Sequence, residues 1–490
     1  MKFSFRLLVF TFFLSLTTFG AAAKPGKLLI LYTNDLHDHI RPGYEGVGGM
    51  PYVSGYIKQV KSQRQDVLVL DAGDVSEKGD MVADKTDSEI MYEAMGRIGY
   101  DATVPGNHDL DHTVARVREW AALAKGLSFL CRNCFDPDGK PSFPPSKIFD
   151  VQGAKIGVIG LTVINEKEPA DFDLCVKQLG EEVDRLRPDV HLVVVLCHLG
   201  SKTCRDLSAK IPAIQLFVSG HTHELIKKPI VVSETGALIV QAGEYAENVG
   251  RLELAIDLAE RKIVTVDGTV VEMKHDVISC DNEMLQWVKK RESELCPDAV
   301  KVVGRCDARV NATGAAVLSA AALRWHSKAD IAFCHTARVI RGGLPKGEID
   351  VNALFCMGGQ RGARLIEATL TGEMINDYLK YLRERRNEQT EWAGFRGASH
   401  NGVWLEQTDL EPSQAYRVVM PELEWTSRFL KMAERNNDAH SIQSAVCQFT
   451  FTDALTAYAE YLGKEEVTLD AHVKKLLSDR QLTPVKAEVR

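Results

Sequence analysis

The sequence predicts a layered α/β fold in a chain of two domains, and two observations support this prediction. The first is the length of 490 residues, which is more than one hydrophobic core usually organises. The second is an alternation of short apolar runs, typical of strands, with segments of helical periodicity. The apolar runs are Leu28–Tyr32, Val67–Leu70, Ala102–Val104, Lys155–Leu161, His191–Leu196 and Leu216–Val218, and the helical segments are Tyr52–Val60, Glu89–Ile98, Val114–Ala124 and Val176–Leu186.

A charged helical segment marks the predicted end of the first domain. Asn282–Glu294 combines helical periodicity with many charged residues, and Pro297 stops it. An Ala-rich helical segment, Ala315–His326, then opens a second α/β pattern. We therefore predict a signal peptide at 1–23, a first domain at 24–281, a helical linker at 282–300 and a second domain at 301–490.

Residues 1–23 have the pattern of a secretory signal peptide. Lys2 and Arg6 precede the apolar run Leu7–Gly20, and Ala21–Ala23 supply small residues for cleavage. The run is too short to span a bilayer, although an N-terminal anchor is the alternative. We expect a periplasmic or secreted protein with no integral membrane association.

The composition restricts the class of partner. A hydrophobic content of 45% and a charged content of 26% are ordinary for a globular protein. The formal net charge of −8 argues against nucleic-acid backbones as partners. An anionic substrate would therefore need local positive charge in its binding site.

Polar motifs follow five of the predicted strands at the point where each strand ends. In layered α/β folds this edge is where binding crevices form. Because residues i and i+2 of extended backbone face the same side, Asp35 and His37 are expected to reach one metal ion, and His221 and His223 are expected to point into one cavity. Each motif alone is more often a turn, but the ordered set predicts a metal centre. The motifs are Thr33–His37, Asp71–Asp74, Gly106–Asp109, Cys197–His198 and Ser219–His223.

These motifs resemble those of the calcineurin-like metallophosphoesterases, and more narrowly the secreted 5′-nucleotidase and UDP-sugar hydrolase branch. The similarity covers roughly residues 27–260. It implies a two-sheet β-sandwich flanked by helices, the metallophosphatase fold, followed by a C-terminal α/β domain that binds substrate. The residues that carry it are Thr33–His37, Gly48–Gly49, Gly73–Asp74, Gly106–Asp111, His198 and Gly220–His223.

The resemblance implies two divalent metal ions that share Asp74. The mixed nitrogen and oxygen ligands suit zinc, manganese or iron and do not separate them. Such a pair of ions makes hydroxide available near neutral pH for in-line attack on phosphorus. The ligands of the first ion would be Asp35, His37, Asp74 and His223, and those of the second Asp74, Asn107, His198 and His221.

His108 and Asp111 are the predicted catalytic residues. His108 lies beside Asn107, so its imidazole should reach the phosphoryl group and stabilise the transition state or assist the leaving oxygen. Asp111 lies three residues further on, where it would fix the tautomer of His108. The alternatives are a structural histidine and an acidic residue at a helix N-terminus.

The resemblance is weaker in the second half. Arg341 aligns with the arginine of the family's Gly-Gly-Ile-Arg motif, but Arg338 and Val339 replace the glycines, and the family's late Gly-Gly-Asp-Gly-Tyr loop is absent. The second half therefore lacks part of the motif set with which the family binds the nucleoside. The predicted substrate-binding residues are Asn107, Arg338, Arg341, Arg364 and, as a stacking face, Phe395.

The sequence therefore predicts a secreted dinuclear-metal hydrolase of small-molecule phosphate esters, with nucleotides as the leading substrate class. Two alternatives stay open. One is a relative that acts on non-nucleotide or sulfur esters, and the altered motifs of the second half favour retaining this alternative. The other is a non-catalytic protein that binds phosphate or metal, against which the presence of both His108 and Asp111 argues.

Overall fold

The computed structural model describes residues 26–163, 171–336, 339–358, 364–384, 390–394, 408–436 and 442–479. The predicted signal peptide, Arg338 and Phe395 lie outside these residues. None of the helices described has the length and apolar character needed to cross a membrane.

The first half of the chain forms two six-stranded sheets. Its strands are β1 (Gly26–Thr33), β2 (Val67–Asp71), β3 (Ala102–Thr103), β4 (Ser128–Phe129), β5 (Ser146–Val151), β6 (Ala154–Thr162), β7 (Leu192–His198), β8 (Leu216–Ser219), β9 (Ile230–Val231), β10 (Leu238–Val240), β11 (Asn248–Asp257) and β12 (Lys262–Glu272). The strand order is β12-β11-β1-β2-β3-β4 in the first sheet and β5-β6-β7-β8-β10-β9 in the second.

Eight helices accompany these strands within the described residues. They are α1 (Met50–Gln63), α2 (Met81–Lys85), α3 (Glu89–Ile98), α4 (Asn107–Asp111), α5 (Val114–Leu123), α6 (Phe172–Leu186), α7 (Ser201–Lys210) and α8 (Asn282–Leu295). A 3-10 turn, Pro297–Val300, follows α8.

The two sheets pack face to face, which confirms the predicted sandwich flanked by helices. Apolar residues of β1 and β2, among them Ile30 and Leu70, meet residues of β6 and β7, such as Val158 and Val194, in one buried cluster. The outer face of the first sheet packs on α1, α3 and α5, and that of the second on α6 and α7. Alternate residues of these strands therefore serve two different cores, which explains their continuous apolar sequences.

The register of the parallel strands brings their C-terminal ends to one edge. Thr33 of β1 pairs with Asp71 of β2, which pairs in turn with Thr103 of β3. In the second sheet, Cys197 of β7 pairs with Ser219 of β8. The loops that carry the polar motifs therefore all leave the sandwich at corresponding ends of adjacent strands.

The second half contains a five-stranded mixed sheet and a two-stranded sheet among its described residues. The strands are β13 (Val302–Cys306), β14 (Ile331–His335), β15 (Gly347–Asp350), β16 (Leu365–Thr371), β17 (Thr390–Ala393), β18 (Ala415–Pro421) and β19 (Ser444–Val446). The helices are α9 (Ala312–Ser327), α10 (Val351–Gly358), α11 (Gly372–Glu384), α12 (Glu422–Glu424), α13 (Leu430–Arg435), α14 (Phe451–Lys464) and α15 (Leu469–Asp479), with a π-helical turn at Trp425–Phe429.

The five-stranded sheet, β17-β14-β18-β16-β19, is covered on both faces. Ala332 and Cys334 of β14 pack in the cluster that contains α9, α10 and α14, whereas Ile331 and Phe333 pack in the cluster with α11. The predicted domain boundary at 282–300 stays a prediction. The apolar side of α8, with Met284 and Val288, belongs to the core of the first half.

A polar network joins the two halves. Nη2 of Arg41 lies 2.9 Å from Oδ2 of Asp350, and the hydroxyl of Tyr44 donates to Oδ1 of the same carboxylate at 2.6 Å. The buried amide of Asn352 donates to Oδ1 of Asp80 at 2.8 Å, and its carbonyl oxygen accepts from the backbone N–H of Met81 at 2.7 Å. These contacts place α10 beside the loop that follows β2, close to the edge where the polar motifs converge.

Candidate metal centre

Five loops bring their polar side chains together at the common edge of the two sheets. These loops follow β1, β2, β3, β7 and β8, as the sequence predicts. Two groups of three ligand-type side chains have one ligand atom each within 4.8 Å of one another. The first group is Asp35, His37 and His223, and the second is Asp74, His198 and His221.

The backbone at this edge is left-handed rather than extended. Such φ angles are uncommon outside glycine and cost about 1–3 kcal/mol each, so they persist only where the surroundings enforce them. The expectation that Asp35 and His37 converge because i and i+2 share a face of an extended strand is therefore wrong in its geometry: both lie beyond the end of β1. The left-handed predicted ligands are Asp35 (φ 51°), His37 (47°), Asp74 (55°), His221 (79°) and His223 (56°).

Two histidine ring nitrogens face each other in the first group. Nε2 of His37 lies 3.1 Å from Nε2 of His223, which lies 3.4 Å from Oδ1 of Asp35. Nδ1 of His37 lies 3.1 Å from the carbonyl oxygen of Ser76, and Nδ1 of His223 contacts the carboxylate of Glu244. Because each Nδ1 must carry its proton to donate to an oxygen, each neutral ring directs an Nε2 lone pair at the other. A cation between these atoms satisfies both.

The second group contains a buried ring nitrogen that faces a carboxylate oxygen. Nδ1 of His198 lies 2.7 Å from the carbonyl oxygen of Ala72. Its Nε2 is fully buried and lies 3.0 Å from Oδ2 of Asp74, yet it has no hydrogen-bond partner of suitable geometry among the described residues. Nδ1 of His221 lies 2.9 Å from Oδ1 of Asn107. The donor set of both groups therefore fits divalent metal ions with mixed nitrogen and oxygen ligands.

Asp74 lies between the two groups. Its Oδ2 is 3.0 Å from Nε2 of His198 and 4.0 Å from Nε2 of His37, which belong to different groups. Its Oδ1 accepts a hydrogen bond of 2.9 Å from the backbone N–H of His108. A Cβ atom at Gly106 would come within 2.1 Å of Oδ1, so only glycine fits there.

The protonation of the centre without metal follows from burial and mutual contact. Burial raises the pKa of Asp35 to about 6. Burial alone would lower the pKa of His198, but the carboxylate of Asp74 raises it to about 10. Burial alone would raise the pKa of Asp74, but the facing imidazoles, His198 foremost, hold it well below its usual range. Protons therefore occupy positions that metal ions would take.

His108 is next to these groups and is held by a residue that sequence reasoning missed. Its Nδ1 lies 2.9 Å from Oε2 of Glu77, and its ring centroid is 5.2 Å from that of His37. The carboxylate of Asp111 is exposed, and one ligand atom of each of Glu77, His108 and Asp111 lies within 4.8 Å of the others. Glu77 follows Asp74 by three residues in the sequence. Its side chain reaches His108 only because the loop after β2 is left-handed at Glu77.

Asp109 supports the centre from behind. Its buried carboxylate accepts hydrogen bonds from the backbone N–H groups of Asp74, Ser76 and Gly106 at 3.0, 3.0 and 2.7 Å. It also accepts from the hydroxyl of Tyr92 at 2.7 Å. One carboxylate thus ties the loop after β2 to the loop after β3, and it explains the acid that follows His108 in the motif.

A cavity of about 470 Å³ lies between the two halves beside this centre. His39 and Tyr245, whose rings stack with centroids 4.3 Å apart, line it, as do Lys78 and Arg341. Arg341 was predicted from the sequence, whereas Lys78 was not. The φ angle of 77° at Lys78 places it in the left-handed region.

Arg364, another predicted substrate-binding residue, does not line this cavity. Arg364 is exposed and forms a two-pronged ion pair with Glu422, with distances of 2.8 Å from Nε and 2.7 Å from Nη2. Arg338 and Phe395 lie outside the described residues. Trp425, an aromatic residue near the altered late loop, is buried and stacks on Phe429 in the core, with centroids 4.9 Å apart.

Comparisons with known proteins agree with this geometry. Residues 28–225 match the family described as calcineurin-like phosphoesterase. A 5′-nucleotidase of Vibrio vulnificus is 25% identical over 481 residues, which cover 82% of this chain and 85% of that protein. The crystal structure of a 5′-nucleotidase precursor from Thermus thermophilus has a TM-score of 0.69 at 21% identity, covering 89% of this chain and 97% of that one. The sulfate thiohydrolase SoxB of the same organism has a TM-score of 0.67 at 18% identity, covering 89% and 94%.

A two-sheet sandwich with paired histidine–carboxylate groups at its strand ends defines a metal-dependent phosphoric ester hydrolase. The match of residues 28–225 to the calcineurin-like phosphoesterases confirms the resemblance found in the sequence. This match implies divalent metal ions and a small-molecule phosphate ester as substrate.

We expect metal binding to release protons, because the metal-free centre holds a proton on His198, whose pKa of about 10 lies above neutrality. The apparent affinity for Zn²⁺ or Mn²⁺ should therefore rise between pH 6 and pH 8. Each proton displaced should contribute a ~10-fold increase in affinity for every pH unit. Calorimetry in two buffers of different ionisation enthalpy measures the number of protons released. His326→Ala, which is remote from the centre, should leave that number unchanged, and binding without proton release would contradict the assignment.

Proposed function

We propose that this hydrolase acts on nucleotides, with two metal ions held by the paired groups and the nucleoside in the adjacent cavity. The observation that carries the proposal is the position of Asp74, whose carboxylate faces both groups, together with a neighbouring cavity lined by Lys78 and Arg341. The metals would be zinc, manganese or iron.

The proposed ligands are the residues whose donor atoms converge on the two positions. Asn107 enters the second set because its amide oxygen lies 2.9 Å from Nδ1 of His221. When bound, two divalent ions lower the pKa of water and offset phosphoryl charge. The first ion would be held by Asp35, His37, Asp74 and His223, and the second by Asp74, Asn107, His198 and His221.

Two cations of the chain would bind the phosphoryl group. Burial and the nearby charge of Arg341 lower the pKa of Lys78, and burial lowers that of Arg341. An anionic ligand beside these partly dehydrated cations offsets the loss of hydration. Lys78 and Arg341 thus supply the local positive charge that an acidic protein needs in order to bind phosphate.

His108 would act on the leaving group. Because its Nδ1 contacts Glu77, Nε2 is the nitrogen left to face the substrate. A proton on Nε2 can pass to the leaving oxygen as its bond to phosphorus breaks. Asp111 lies near enough to contribute to the field around this imidazole.

The nucleotide assignment is supported by the relatives and by the cavity. The Vibrio relative is a 5′-nucleotidase that aligns with most of both chains. The cavity volume of about 470 Å³ falls in the range of small-molecule sites, and His39, Tyr44 and Tyr245 offer aromatic surface for a base. The family's glycine and late-loop motifs are altered in the second half of this chain. The aromatic surface of His39, Tyr44 and Tyr245 would therefore bind the base in place of an aromatic clamp from that half.

We also infer export to the periplasm or the medium. The support is the pattern of residues 1–23, in which basic residues, an apolar run and small residues follow each other in the order that a signal peptide requires.

The test is an assay of protein reloaded with zinc, manganese or iron against nucleoside monophosphates, nucleotide sugars, aryl phosphates and thiosulfate-type sulfur esters. We expect nucleoside monophosphates to have the highest kcat/KM. His108→Ala should lower kcat by about 10²- to 10⁴-fold while the metal content stays unchanged. Turnover of sulfur esters alone would instead indicate a hydrolase of sulfur esters. Phosphate binding without turnover would indicate a non-catalytic binding protein.

Arg341→Met should raise KM for a nucleoside monophosphate by about 10-fold or more, because it removes a charge-assisted contact to the phosphoryl group. Steady-state kinetics measures this change. Arg364→Met is the matched control, since this arginine is exposed and paired with Glu422, and its KM should stay within about 2-fold of the unmutated protein. Equal kinetics for the two variants would exclude Arg341 from the substrate site.

A further inference from the structure

We propose that Glu77 is the positioning residue for His108, and that His112, Asp87 and Arg116 hold Glu77 in place behind it. The inference rests on the proposed role of His108 in phosphate ester hydrolysis. It goes beyond the sequence motif, which pairs His108 with Asp111 three residues along the chain.

A continuous line of charged contacts runs away from His108. Oε2 of Glu77 lies 2.9 Å from Nδ1 of His108, while Oε1 of Glu77 lies 3.6 Å from Nε2 of His112. Nδ1 of His112 lies 3.1 Å from Oδ1 of Asp87. Oδ2 of Asp87 accepts from Nε of Arg116 at 2.7 Å. Each carboxylate in this line contacts two basic groups, one on each oxygen.

The backbone of Glu77 is fixed in a conformation that it would not adopt alone. Its φ angle is 67°, in the left-handed region, and the next residue, Lys78, has a φ of 77°. The N–H of Glu77 donates to Oδ2 of Asp38 at 2.7 Å, and the hydroxyl of Ser88 donates to the same oxygen at 3.0 Å. The fully buried Asp38 carboxylate therefore stabilises the turn that directs Glu77 toward His108.

The orientation of His108 follows from this contact. A carboxylate at Nδ1 accepts the Nδ1 proton and fixes the plane of the ring, which leaves Nε2 as the nitrogen that exchanges a proton with the leaving oxygen. The side chains of His108 and Glu77 are 18% and 29% exposed, so water competes only partly for the contact. His108 is further held by its backbone N–H, which donates to Oδ1 of Asp74. Glu77 thus aligns Nε2 of His108 relative to the metal-ligand groups.

His112 extends the positioning network rather than the reacting site. Its side chain is only 4% exposed, and its ring packs edge-on against Trp120 with centroids 5.0 Å apart. Arg116, which contacts Asp87, also contacts Glu89 at 2.8 Å. Because these groups are fixed by packing and by paired charges, the carboxylate of Glu77 has little freedom to turn away from His108.

The experiment compares Glu77→Gln with Asp111→Asn and with Glu93→Gln, a partly exposed glutamate that pairs with Arg97. Glu77→Gln should lower kcat for a nucleoside monophosphate by about 10- to 100-fold, with KM within about 2-fold and metal content unchanged. For p-nitrophenyl phosphate, whose leaving group needs no proton, the loss should be at most about 3-fold. Asp111→Asn should lose less kcat than Glu77→Gln, and Glu93→Gln should match the unmutated protein.

A double-mutant cycle separates positioning from a general structural effect. In a His108→Ala background, Glu77→Gln should cause no further loss of kcat, because its effect passes through His108. Additive losses, an equal loss for both leaving groups, or a larger loss in Asp111→Asn would each overturn the inference. If the unmutated protein turned over no phosphate ester at all, the proposed function would fail instead, so the two failures are distinguishable.

Discussion

The candidate centre depends on one constraint: two histidine–carboxylate groups, each built from loops of both sheets, must both face a single carboxylate. Asp74 meets this constraint because it follows β2, a strand in the middle of the first sheet, directly opposite the strand ends of the second. Its backbone is left-handed, its N–H is held by Asp109 and its Oδ1 by the N–H of His108. Replacement of Gly106 by any larger residue would push a Cβ atom into Oδ1.

The chain stabilises this arrangement with buried carboxylates that are not proposed metal ligands. Asp109 ties the loops after β2 and β3 through four contacts to backbone and side-chain donors, and Asp38 holds the turn at Glu77 and Ser88. Burial of a carboxylate is costly unless its oxygens accept hydrogen bonds. Asp109 accepts hydrogen bonds on both oxygens, and Asp38 accepts two on Oδ2. The free-energy cost of left-handed backbone at five proposed ligands is thus offset by hydrogen bonds from residues outside the centre.

Much of the sandwich and of the candidate centre could be predicted from the sequence. Apolar runs such as Leu28–Tyr32 differ from the observed strand by two residues or fewer at each end, because strands buried on both faces leave continuous apolar sequence. The residues around Asp35, Asp74 and His198 were found because each directly follows such a run. The physical reason given for Asp35 and His37 was wrong, since they converge through left-handed turns and not along an extended strand.

Other features depend on contacts that no local pattern contains. Glu77 and Lys78 reach the site only through the turn that Asp38 holds from 39 residues earlier, so spacing alone does not identify them. Arg364 was predicted to bind substrate, yet its position beside Glu422 is decided by the pairing of β16 with β18. The stacked His39 and Tyr245 come from loops that are distant in sequence, so no local pattern predicts this aromatic surface.

The most direct test of the account is the metal content of the protein and of Asp74→Asn, measured by elemental analysis together with anomalous scattering from crystals. The shared carboxylate predicts two ions per chain about 3.5–4 Å apart in the unmutated protein, and the loss of at least one ion in the variant. A chain that bound no ion under metal-replete conditions, or a variant that kept both ions at unchanged affinity, would contradict the central claim.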